Sequence, residues 1–177
     1  VFAGGRCGLY EFENGKLINY YNKDNSPLGG AYSGGQELGN NYVLIHSIKF
    51  DQEGNLWVFN SRAKGVNLLK LNKNKEWENH YQKQLVDNSG LGLPGLRNTF
   101  YNSKGLLCFV NTSYINPSVA LYDTSTDQLI THHNFVNQDG TPYNVNYINC
   151  ACEDKDGNIW VGTNLGLFYI DKNEVGQ

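Results

Sequence analysis

The 177-residue chain contains no methionine, four prolines, four cysteines and only 18% charged residues. Each scarcity narrows what the protein can be. No apolar run approaches the roughly 20 residues that span a bilayer, so no membrane helix is expected within it. The net charge is −3 and Lys and Arg are scattered, which leaves no electrostatic footprint for a phosphate backbone. Nucleic acid is therefore not expected as a partner. Disorder is excluded as well, because disordered chains combine high net charge with few aromatics and this one is 13% aromatic. The chain opens at Val1, which reads as an interior piece of something longer, with any leader or anchor outside it.

The cysteines, Cys7, Cys108, Cys150 and Cys152, follow neither a CxxC nor a paired knuckle spacing. Cys150-Ala151-Cys152 sets two thiols on one strand face, but Asn149 and Ala151 add no convergent His or carboxylate, so they read as small apolar side chains and no metal or other cofactor is expected. His132 and His133 are adjacent and would point to opposite faces of a strand. His46 and His80 stand far apart in sequence. No nucleophile elbow, Ser–His–Asp order or convergent carboxylate pair emerges, so no catalytic residue is assigned and an enzyme is not expected.

What the chain has in quantity is Gly, Asn, Tyr and β-branched residues, the mixture of strands joined by tight turns. Apolar residues at helical spacing are nowhere sustained, so essentially no helix is expected. One segment recurs. Phe50-Asp51-Gln52-Glu53-Gly54-Asn55-Leu56-Trp57-Val58 reappears as Glu153-Asp154-Lys155-Asp156-Gly157-Asn158-Ile159-Trp160-Val161. A degenerate copy lies between them, Tyr101-Asn102-Ser103-Lys104-Gly105-Leu106-Leu107-Cys108-Phe109. The turn glycines Gly54, Gly105 and Gly157 recur at about 50 residues, a period proper to propellers and solenoids.

With the strands of one repeat named a to d, the chain reads b-c-d, a-b-c-d, a-b-c-d and a-b-c. The repeats occupy roughly 1–25, 42–84, 96–134 and 146–171. The fold class is all-β: a β-propeller segment of four-stranded antiparallel blades, about three and a half of them, within a larger propeller. Strand alternation predicts burial of Ile48, Phe50, Leu56, Val58, Leu68, Leu121, Ile148, Cys150, Ile159, Val161, Leu167 and Tyr169, together with Trp57 and Trp160. The terminal sheets should each leave an apolar face to be covered by the rest of the parent propeller or by another copy.

The run Glu153 to Thr163, followed by Gly166-Leu167-Phe168, resembles the two-component-regulator propeller repeat. Leu56-Trp57-Val58-Phe59-Asn60, Leu69-Lys70-Leu71, Trp77 and Asn25-Ser26-Pro27-Leu28 are similar to the propeller family of the type IX secretion system. The resemblance implies a non-enzymatic module in the bacterial periplasm or on the cell surface. In the first family such modules sense carbohydrate-derived ligands or relay a signal; in the second they serve as a protein–protein scaffold for surface attachment. A carbohydrate-active propeller enzyme is the remaining alternative.

The a–b and c–d turns are short, whereas the d–a connections and some b–c loops are long. These two long sets emerge on one face of an up-and-down blade, where variable loops sit on a rigid scaffold. The candidate ligand-binding residues are therefore Arg6, Asn60, Arg62, Lys64, Tyr114, Asn116 and Asn164 from b–c loops, with Tyr32 and Tyr143 from d–a connections. Asp-Gly and Glu-Gly at the a–b turns read as hairpin turns, since Gly takes positive φ cheaply and a calcium loop would need further ligands at fixed spacing.

Overall fold

The computed structural model describes residues 1–137 and 139–176. Its main strands form four antiparallel sheets in chain order. The first holds β1 (Phe2–Gly4), β2 (Leu9–Glu13) and β3 (Lys16–Tyr21). A small hairpin follows, β4 (Tyr32–Ser33) with β5 (Gln36–Glu37). The second sheet holds β6 (Leu44–Phe50), β7 (Leu56–Ser61), β8 (Leu68–Leu71) and β9 (Trp77–Asn79). The third holds β10 (Leu96–Tyr101), β11 (Leu107–Asn111), β12 (Ser118–Asp123) and β13 (Gln128–His132). After the hairpin β14 (Phe135–Val136) and β15 (Pro142–Tyr143), the last sheet holds β16 (Ile148–Glu153), β17 (Ile159–Thr163) and β18 (Gly166–Ile170).

The strand order is the one the repeat predicts, and the fold is an all-β propeller architecture. Among the described residues the helical content is a single 3-10 turn, Lys83–Leu85. No helix among them is long and apolar enough to cross a membrane. The chain divides into two compact units, Val1–Pro94 and Gly95–Gln177.

In the first unit, Leu56, Val58, Leu69 and Leu71 of the second sheet pack with Leu9, Leu28, Val43 and Ile45. At the outer margin Lys75, carried on the β8–β9 turn, pairs with the Glu11 carboxylate of β2 and lies 4.8 Å over the Phe2 ring. Burial alone would raise the Glu11 pKa, but hydrogen bonds from Lys75, Asn19 and Tyr21 outweigh it and hold the carboxylate below its usual value. In the second unit, Cys108, Val110, Val119 and Leu121 of the third sheet are buried against Ala151, Ile159, Val161 and Ile170 of the fourth. Thus the a, b and c strands carry apolar residues on both faces. β7, from Leu56 to Ser61, is buried at every position.

The repeat's turn has a chemical reason. Asp51 accepts from the Glu53 and Asn55 backbone N–H groups through one oxygen, and from Asn55 Nδ2 and Trp57 Nε1 through the other. Asp154 repeats the pattern with Asp156, Asn158 and Trp160. The carboxylate closes the turn and satisfies the indole N–H two positions into the next strand. These donors, Asn158 and Trp160 foremost, hold the Asp154 pKa well below the ordinary carboxylate range. In the third repeat Asn102 keeps the backbone contacts, to Lys104 and Leu106, but Cys108 replaces the Trp. The buried Asn102 Nδ2 is left without a partner. Gly54, Gly105 and Gly157, at φ between 79° and 91°, complete the three turns.

Several residues expected in the core are not there. Trp57 is 1% exposed, but Trp160 is 36%, Tyr169 57% and Leu167 65% exposed, and Cys150 is also open. All four lie on the fourth sheet's second face, opposite the one that covers the third sheet. Phe50 is 48% exposed and Ile48 half-buried, because the three-stranded first sheet has no strand beside β1 to cover them; Phe50 meets only the edge of Phe2, at 5.9 Å. The remaining residues expected in the core are buried.

Asp51→Ala should lower stability to chemical denaturation by about 1–3 kcal/mol, since it removes the acceptor of the turn's backbone N–H groups and of the Trp57 indole. Asp154→Ala should cost clearly less, because water can replace the carboxylate at the open Trp160. Cys108 is buried, and burial first, then the Glu153 charge, push its thiol up to about 12. A thiol reagent at neutral pH should therefore label Cys7, Cys150 and Cys152 in the native protein, and Cys108 only on unfolding.

Candidate functional site

In the first unit the connection from β3 to β6 is bound onto the β7–β8 loop by side chains at the end of β7. Asn60, the last apolar-face position of that strand, is fully buried. Its Oδ1 accepts the Gly29 N–H at 2.6 Å, and its Nδ2 donates to the carbonyls of Gly29 and Leu44. The side chain thereby imitates one more strand partner for an otherwise irregular segment. Asn60 was a candidate ligand contact; the structure corrects this, since an amide with no exposed surface and its hydrogen bonds spent on backbone positions the loop instead.

Gly29 is required by close approach. A Cβ there would stand 2.7 Å from Ala63 Cβ and from Val66 Cγ2. Two residues along, Arg62 adopts φ 60°, a conformation that costs a non-glycine residue free energy and persists only where surroundings enforce it. Its carbonyl accepts the Tyr32 N–H, and its Nε and Nη2 fork onto the Tyr32 carbonyl at 3.1 Å each. Its Nη1 lies 3.6 Å from Asp87, which caps the turn before Leu91. Arg62 is thus held from both sides.

This clamp shapes a polar groove of about 390 Å³, lined by Lys23, Asp24, Gly30, Tyr32, Glu37 and Lys64 among others. Lys23 pairs with Glu37 at 2.6 Å, and Asp24 accepts from Asn41. The exposed Lys64 ammonium adds a cation at the rim. The groove brings Tyr32 and Lys64 together, and Arg62 fastens the backbone of Tyr32. Lys23, Asp24 and Glu37 were not anticipated. Gly34-Gly35 between Tyr32-Ser33 and Gln36-Glu37 is a two-residue hairpin signal that would have placed Glu37 opposite Tyr32.

The other candidates stand elsewhere. Arg6 is exposed on the β1–β2 loop. In the second unit Tyr114 is 70% exposed and Asn116, at φ 51°, is exposed too. Their loop is tied down by the buried Asn111, whose Nδ2 donates to the carbonyls of Ile115 and Asn116. Asn164 accepts from the backbone of Asn146 and Tyr147, so it braces a connection. Tyr143 packs edge-on against Phe168 at 5.5 Å and lines a wider groove of about 600 Å³ with Trp160, Leu167 and Tyr169. Among the described residues no group of three or more His, Cys, Asp or Glu converges on a metal position.

The family model described as two component regulator propeller matches residues 142–165. That stretch lies in the last sheet and the connection leading into it. No curated protein matches. Among solved structures, PorZ of Porphyromonas gingivalis, described as an essential bacterial surface component of the type-IX secretion system, is 22% identical with a TM-score of 0.78. The similarity covers 99% of this chain and 23% of PorZ. The extracellular domain of BT4673 from B. thetaiotaomicron is 17% identical with a TM-score of 0.51, covering 96% of this chain and 26% of that one. Both likenesses show the propeller fold, and this chain spans about a quarter of the length of each.

Asn60→Ala should cost about 1–3 kcal/mol and speed amide hydrogen exchange at Gly29 through Tyr32, because it removes the clamp and leaves buried backbone groups unpaired. Gly29→Ala should loosen the same segment through its clash with Ala63 and Val66. Unchanged exchange in both variants would contradict the clamp.

Proposed function

We propose that this chain is a non-enzymatic recognition segment of a larger extracytoplasmic propeller, and that the clamped groove on its first unit receives the ligand. One observation carries the reading. Tyr32 and Lys64, chosen from loop position alone, line one groove, and two of its lining residues are tied down, Tyr32 by Arg62 at φ 60° and Gly29 by the buried Asn60. Structural stabilisation alone does not require a strained arginine holding the lining of an open polar cavity, and such strain concentrates at functional sites. The volume falls within the range of small-molecule sites, roughly 300–1,000 Å³.

The lining suits a hydroxyl-rich ligand. Asp24 and Glu37 accept hydrogen bonds, Lys23 and Lys64 donate them, and the Tyr32 ring offers an apolar face. A carbohydrate-derived ligand fits that mixture, as expected of a sensor propeller in the periplasm or at the cell surface. The repeats at roughly 1–25, 42–84, 96–134 and 146–171 would then be part of the ring that holds the loops. A second reading, a protein–protein scaffold of a secretion or cell-surface complex, draws support from the open apolar face of the fourth sheet and from the likeness to PorZ.

Titration of isotope-labelled chain with neutral and acidic oligosaccharides should shift the amide signals of Gly30, Tyr32 and Lys64. The shifts should vanish in Tyr32→Ala and Lys64→Ala variants that keep the parent thermal midpoint. Absence of any shift, or shifts confined to residues 95–176, would argue against this groove and leave the scaffold reading in place.

A further inference from the structure

A single turn recurs through the chain, headed in turn by Asp51, Asn72, Asp87, Asn102, Asn137 and Asp154. In each, the head's side-chain oxygen accepts the backbone N–H groups two and four residues further on. Asparagine therefore serves the turn as well as aspartate, because one acceptor atom is all the turn needs. What sets the aspartates apart is the second oxygen. That of Asp51 accepts the Trp57 indole N–H and that of Asp154 the Trp160 indole N–H, both beyond the turn. By contrast, Asn72 turns its Nδ2 back onto Glu76 inside the turn, and the Asn102 Nδ2 has no partner among the described residues.

Asp87 follows the same rule with a different partner. Its Oδ1 accepts the N–H groups of Ser89 and Leu91, and its Oδ2 faces Arg62 Nη1 at 3.6 Å. Both oxygens lead to the groove of the first unit. Leu91, fixed by Oδ1, forms a backbone bridge with Lys64, which lines the groove. Arg62, faced by Oδ2, forks through Nε and Nη2 onto the carbonyl of Tyr32, which lines it too. The Tyr32 carbonyl thus takes one edge of the guanidinium and Asp87 the remaining nitrogen. The Asp87 side chain is 10% and that of Arg62 26% exposed, so their attraction is less screened than at an open surface. That charge keeps a long, flexible side chain on a neutral carbonyl.

We propose that Asp87 is a positioning residue of the groove, one carboxylate setting Lys64 through Leu91 and Tyr32 through Arg62. It touches no ligand itself. That it thereby tunes ligand affinity rests on the groove being the binding site; that it sets the Tyr32 backbone does not.

Asp87→Asn separates the two roles, since the turn accepts asparagine at its head and only the charge facing Arg62 is lost. Residue-resolved amide hydrogen exchange in this variant should quicken severalfold at Tyr32 and keep the parent rate at Ser89 and Leu91. Asp87→Ala should quicken all three. In an Arg62→Met background Asp87→Asn should add nothing at Tyr32, as expected of two residues acting through one contact. Titration with neutral and acidic oligosaccharides should show binding weakened severalfold by Asp87→Asn. Parent-like exchange at Tyr32 in Asp87→Asn, equal quickening at Ser89 and Leu91, or additive effects of the two substitutions would overturn the proposal. Unchanged oligosaccharide affinity beside a quickened Tyr32 would overturn its bearing on binding. A parent chain that binds no oligosaccharide would count against the groove as the ligand site, and the exchange rates alone would then decide the role of Asp87.

Discussion

Burial of a strand on both of its faces is the constraint from which the rest of this structure follows. A strand covered on one side alternates apolar and polar residues, but β7 is buried throughout and β11 likewise. Such a strand has no polar face with which to meet water, so each sheet must be sandwiched. The apolar residues of the two central sheets serve that need. A short sheet with two apolar faces is not stable by itself, which is why the motif recurs rather than standing alone.

Two-sided burial also decides where polar side chains are tolerated, and several of those present have a backbone task. Asp51 and Asp154 close the a–b turns and receive the indole N–H. In three of the b strands a polar residue at or next to the end ties down a loop that follows or meets it. Asn60 holds Gly29, Asn111 holds Ile115 and Asn116, and Thr163 donates to Gly166. At β7 and β11 a buried amide at the strand end must find partners, and the nearest unsatisfied backbone belongs to the loops. In the first unit this coupling extends to a groove whose Tyr32 backbone is held by Arg62.

Strand order and hairpin positions were legible because the turn chemistry repeats: positive-φ glycine, acidic residue and Trp at fixed spacing. Trp160 shows where that legibility stops. Its sequence surroundings match those of Trp57, and its indole makes the same hydrogen bond, yet one ring is 1% exposed and the other 36%. Burial on the second face is set by what lies across from it, which no local pattern encodes. Asn60 shows the converse. Its place at a b–c loop suggested a surface role, while its side chain turns inward to meet a segment some thirty residues earlier in the chain. Tyr32 and Lys64 were found from loop position, whereas Lys23, Asp24 and Glu37 depended on a hairpin whose Gly-Gly turn went unused.

Amide hydrogen exchange resolved by strand tests most directly whether two-sided burial governs the whole. The account predicts that β7 and β11, covered on both faces, exchange slowest, and that β17 opens measurably sooner although its repeat sequence is the most regular. Protection of β17 equal to that of β7 in dilute, monomeric protein would contradict it.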